Sequence, residues 1–150
     1  MATQKIEARG WIFEIYDAAG TTWVRVKGVT NFTYNPGENT ENVDTTDFDS
    51  EGQYEELVLQ RGATLGLEGQ RRMDSVTGAP DPGQALCDEL AQGLVEESLG
   101  QIRFRHRLET QWRLWNVTAT AGEQGGETNA TSSWACDFVR SGAETTTAVS

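Results

Sequence analysis

The sequence predicts a mainly β domain of the α+β class: a β-sandwich or barrel-like module with one flanking α-helix and a long inserted loop. Three observations predict it. Apolar residues recur with period two over most of the chain, one segment recurs near every fourth residue, and a polar stretch at 35–56 is too long to be a mere connection. With 150 residues, 37% hydrophobic content and five tryptophans, the chain can build one domain, 1–150, around one modest core.

In "WIFEIYD", Trp11, Phe13 and Ile15 alternate with Ile12, Glu14 and Tyr16. "DAAG" then supplies a turn, and Trp23, Val24, Val26 and Val29 continue the pattern, giving an antiparallel hairpin with a bend at Gly28. Leu57, Leu59, Leu65 and Leu67, with Gly62 and Gly66, predict a core strand, either bent or split in two. The spacing of Leu86, Leu90 and Leu94 beside Cys87 and Ala91 predicts a helix over about 82–98. Asp81 is its N-cap, Pro82 its first residue, and Gly100 closes the element. Its opposite face carries Asp88, Glu89, Gln92 and Glu96, so the leucine stripe should lie on a sheet.

Three strands follow. In "QIRFRHRL", Ile102, Phe104, His106 and Leu108 form an apolar face, while Arg103, Arg105 and Arg107 form a basic ladder on the other. "QWRLWNVTA" is the second strand, and in the third Trp134, Cys136 and Phe138 alternate with Ala135, Asp137 and Val139. The total is seven or eight strands. The tail at about 141–150 is small and polar, and is expected to be loose unless a neighbour holds it.

A net charge of −11 and a pI near 4.4 argue against gripping nucleic acid by its phosphates. The start of the chain has no apolar signal region and no window suits a membrane span, so synthesis in the cytosol is expected. Cys87 and Cys136 sit in apolar patterns and read as buried free thiols. The acceptor patterns at Asn31, Asn116 and Asn129 carry little meaning without a secretory signal.

The acids at Asp44, Asp47, Asp49, Glu51, Glu55 and Glu56 invite a calcium reading. Counted from Asp47, however, the position that must supply a bidentate glutamate is Val58, so an EF-hand fails. His106 is the only histidine and belongs to a strand alternation, which suits a half-buried structural residue better than a general base. Zinc lacks ligands, and no glycine loop has the spacing that cradles phosphate. No catalytic residue, metal or cofactor is predicted. The aromatics Tyr34, Phe48 and Tyr54 in and beside the acidic loop favour docking on a partner. Arg103, Arg105 and Arg107 are the candidate receiver, the alternative being a solvated face balanced by acids such as Glu109. Polar, acidic and poor in aliphatic residues, the loop itself is expected to be disordered before assembly.

Taken in order, the starting hairpin, "GVTNFTYNPGENTENVDTTDFDSEGQYEELVLQRGATLGLEG", the helix of "DPGQALCDELA", "GQIRFRH", a paired-tryptophan strand and "TSSWACDFVRSG" resemble the tail tube (major tail) proteins of long, non-contractile-tailed bacteriophages. The resemblance spans nearly the whole chain, rests on arrangement and local wording, and does not settle the tail type. It implies a β-sandwich with a flanking helix, six copies closing into a ring through sheet edges, and rings stacking into a hollow tube in the virion that conducts the viral genome. It also implies that the loop after the first hairpin reaches an adjacent ring or subunit, and that tape measure, tail tip and tail terminator proteins are partners. An acidic wall would let DNA pass without binding it. Two rivals are another ring-forming part, such as a tail terminator or head-tail joining protein, and a calcium-dependent carbohydrate-binding β-sandwich. In the second the loop acids would be ligands and Trp112 or Trp115 a stacking platform.

Overall fold

The period-two segments become strands in a computed structural model that describes residues 3–149. In chain order these are β1 (Trp11–Asp17), β2 (Thr22–Arg25), β3 (Val29–Asn35), β4 (Glu41–Asp44), β5 (Glu56–Gln60) and β6 (Thr64–Gln70). The helix α1 (Pro82–Gln92) follows, then β7 (Leu99–His106), β8 (Gln111–Ala121), β9 (Ser133–Arg140) and β10 (Thr145–Ala148). Eight strands form one antiparallel sheet in the order β2-β1-β7-β8-β9-β6-β3, with β10 also on β8; β4 and β5 form a separate two-stranded sheet. The architecture is the predicted β-sandwich-like one with a flanking helix.

Alternation decides the core. Phe13, Ile15, Ile102, Phe104, Trp115, Val117, Leu65, Leu67, Trp134, Cys136 and Phe138 point to the inner face and are buried. β1 and β3 are far apart in the strand order, yet Trp11 and Phe13 stand 5.4 and 5.2 Å from the ring of Phe32. The sheet is therefore rolled until its two ends meet through aromatic side chains.

The helix begins as predicted. The Asp81 carboxylate accepts from Gln84 N at 3.3 Å, and Pro82 fills the first position, where its missing N–H costs nothing. Gln84 is buried and pins two chain segments to the helix: its Nε2 donates to Lys27 O and Gln70 O, and its Oε1 accepts from Arg72 N. Cys87 and Cys136 are both free and buried, and a mutual hydrogen bond followed by burial pushes the Cys87 thiol well above its ordinary value.

Several expectations are corrected. The helix stops at Gln92, not at 98: Gly93 turns extended, a Cβ there would fall 2.1 Å from Glu97 O, and residues 95–98 resume only as a 3-10 turn. Leu94 consequently leaves the leucine stripe and is exposed. The expected core strand over 57–67 divides, with β6 in the core and β5 outside it, exposed on every residue. The loop expected to be disordered instead forms the first strand and the tip of a hairpin, β4 against β5, whose second strand continues to Gln60. For the tail, β8 is the neighbour that holds it: Leu114 faces Thr145, so β10 resumes along β8 after two extra residues where β9 ends.

Candidate functional site

Exposed polar hairpins earn a functional reading when they project from a rigid scaffold, and this one does. Asp44 Oδ1 accepts from Thr46 N at 2.8 Å, and the Thr46 hydroxyl and backbone hydrogen bonds hold the Asp44 carboxyl below its ordinary value. Glu55 N donates to Thr46 Oγ1, which closes the tip. Asp47 caps a short 3-10 turn by accepting from Asp49 N at 2.9 Å, while its own N–H donates to Ser50 Oγ. Glu51 and Gly52 then reverse the chain with φ of 53° and 81°. Asp44 and Asp47 thus spend their oxygens on the local turn, whereas the side chains of Asp49 and Glu51 have no hydrogen-bond partner among the described residues. Phe48 is fully exposed, and Tyr54, Leu57 and Leu59 are mostly so, leaving large apolar side chains uncovered on an acidic hairpin.

The other predicted residues are placed differently. Tyr34 belongs to β3, and its ring packs on Phe104 at 5.3 Å and Trp115 at 5.7 Å; burial, then the Glu144 charge, raises its phenol above the ordinary value. It is a core aromatic with a polar tip, not part of the loop surface. Arg103 and Arg105 share one sheet face as expected but are occupied within the chain. Arg103 Nε donates to Glu14 Oε1 at 2.6 Å, and its guanidinium lies 4.5 Å from Trp23 and 4.3 Å from Trp112. Arg105 lies 4.8 Å from Trp112 and donates to the carbonyls of His106, Arg107 and Glu109, tying off the turn after β7. Arg107 alone is exposed, 3.8 Å from Glu7. Arg103→Glu should therefore set two carboxylates face to face and strip a cation from two indoles, at a cost of about 1–3 kcal/mol in a denaturant titration. An unchanged midpoint would contradict that placement.

Trp112 and Trp115 are both buried, Trp112 beneath the two arginines, so neither offers a face to a sugar. The loop acids do not converge: among the described residues no group of three or more His, Cys, Asp and Glu side chains could hold an ion. His106 is buried in the core face. Leu108 N donates to its Nδ1 at 3.2 Å, so Nε2 carries the proton and donates to Glu7 O at 3.0 Å, a structural use of both nitrogens.

One surface was not anticipated. Where the chain passes from β2 into β3, a cleft of about 800 Å3 opens, bordered by Arg9, Arg25, Lys27 and Arg72 and floored by Trp11 and Phe32. Among the described residues, Arg25, Lys27 and Arg72 have no carboxylate within ion-pair distance.

No protein-family model matches the chain, and no curated protein matches it in sequence. Solved structures do match in shape. A chain in the tail of an empty gene transfer agent particle, solved by helical refinement with C6 symmetry, aligns with a TM-score of 0.72 over 96% of this chain and 100% of that one, at 17% identity. The protein shares its fold with a chain of a particle tail. A chain of the native gene transfer agent virion aligns at 0.70, with 16% identity over 96% of this chain and 100% of that one. A chain of the six-fold symmetrised baseplate of the anti-feeding prophage aligns at 0.62, with 10% identity over 99% and 98%. At these identities the likeness is one of fold.

Proposed function

We propose that the protein is a structural subunit of a virion tail tube: six copies close into a ring, rings stack into a hollow tube, and the hairpin within 35–56 bridges one copy to the next. The observation that carries this reading is the end-to-end match in fold to a chain of a C6-symmetric tail. The exposed sheet edges support it. Among the described residues β2 and β3 end the strand order and β10 pairs only with β8, so each leaves one side of its backbone unpaired there. Such edges invite pairing with another chain, and closing a ring through them removes the liability. The net charge of −11 suits a conduit that must not hold DNA, since every attractive contact repeated along a tube would slow passage. Tape measure, tail tip and tail terminator proteins are the partners this role requires.

Sedimentation velocity over a concentration series tests the proposal. Species of six chains and larger should grow with concentration, and a single monomer boundary throughout would overturn it.

A further inference from the structure

The acidic hairpin has a counterpart on the same molecule, in a place the arginine ladder does not occupy. Of the chain's 12 lysines and arginines, Arg9, Arg25, Lys27 and Arg72 border the cleft between β2 and β3, with Trp11 and Phe32 as its floor; Arg9 is paired with Glu7 and Arg25 stands opposite Glu14 in the register, which leaves Lys27 and Arg72 as the cations free to face a partner there among the described residues. Two exposed cations without a carboxylate partner among the described residues, on a protein of net charge −11, mark a site for an anionic partner. The half-buried aromatic floor asks for an apolar group beside the negative charge. The hairpin tip offers both: Phe48 is fully exposed, and Asp49 and Glu51 follow it within three residues with no hydrogen-bond or ion-pair partner among the described residues.

We propose that the cleft receives the hairpin tip, residues 45–55, of a second copy, with Phe48 on the aromatic floor and Asp49 and Glu51 against Lys27 and Arg72. This rests on the self-assembly reading and adds the receiving surface to it. Within one copy the hairpin does not occupy the cleft: none of its residues is among those that line it. The cleft follows β3 from Val29 to Phe32 and the hairpin leaves beyond Asn35, roughly 10 Å past Phe32 at about 3.3 Å per residue. Among the described residues the hairpin strands pair only with each other. Donor and receiver at separate places on one copy make a head-to-tail contact, heterologous and repeating, as a stack of rings requires. Because the paired charges are exposed, added salt should weaken the contact.

Charge exchange and cross-linking on the full chain test this. The parent, K27E/R72E, D49K/E51K and the combined variant are compared for the concentration at which tubes form, with melting curves confirming that each is folded. Each single-surface variant should raise that concentration at least about tenfold, and the combination, which restores opposite charges, should recover most of the loss. A combined variant no better than its parts overturns the proposal. In the second arm, Lys27→Cys and Asp49→Cys are introduced together and treated with a short bismaleimide. A ladder of cross-linked chains is expected, the native cysteines being buried. If the parent forms tubes but no ladder appears, the receiving surface is wrong and the tube reading stands. A parent that stays monomeric overturns both.

Discussion

Replacing the hairpin tip 45–55 by a two-residue Asn-Gly turn between Asp44 and Glu56 should abolish tube formation at concentrations where the parent is fully assembled, and should shift the melting temperature by less than about 3 °C. The two halves of that expectation have one cause. Every residue of β4 and β5 is exposed and the core contains no residue of the tip, whose one buried side chain, Ser50, is held by the tip's own turn, so its loss removes nothing from the core. Exposing Phe48, Tyr54, Leu57 and Leu59 to water is unfavourable unless a partner covers them. The shortened chain keeps Leu57 and Leu59 but loses Phe48, Tyr54 and the partnerless acids Asp49 and Glu51. Light scattering read beside a melting curve separates the outcomes: tubes from the shortened chain would remove the hairpin from the account, and a large drop in melting temperature would mean it supports the fold after all.

Trp134→Ala should cost about 3–5 kcal/mol, a large part of the whole stability of a domain this size. Trp134 is 1% exposed in β9, where its ring joins the core. Its indole N–H donates to Asp88 Oδ1 of α1 at 3.0 Å, and Asp88 Oδ2 accepts from Arg71 Nη1 at 2.7 Å. One carboxylate thus fastens the sheet, the helix and the chain leaving β6. Asp88→Ala should cost less, about 1–3 kcal/mol, because it leaves a buried indole donor unpaired but opens only a small void. Denaturant titrations followed by far-ultraviolet circular dichroism measure both. A Trp134→Ala midpoint matching that of the parent would mean that helix and sheet are not held together through this contact.

What the sequence disclosed follows how far each signal reaches along the chain. The alternations of β1, β7 and β9 named Phe13, Phe104, Trp134 and Cys136 as core because strand faces are set by neighbouring residues alone. The start of α1 was equally legible, since Asp81 and Pro82 act within one turn. Its end was not, because Leu94 keeps the fourfold spacing while the backbone turns away at Gly93. Leu57 and Leu59 show a different gap: alternation identifies an apolar face but not the surface that covers it, and in one copy nothing does. Arg103 and Arg105 were placed on the right face, yet Glu14, Trp23 and Trp112 reach them from β1, β2 and β8, so their occupancy is a product of the topology. The cleft was out of reach for the same reason, since Arg9, Lys27 and Arg72 meet only when the sheet rolls. β10 gave no warning because Thr145, Thr146 and Thr147 carry strand propensity but no apolar contrast.

Negative-stain electron microscopy of the purified full-length chain, across concentration and salt, tests the central claim most directly. The account predicts hollow tubes of uniform width with six-fold end views, lengthening with concentration and dissolving as salt rises. Monomers under every condition, or closed rings that never stack, would contradict it.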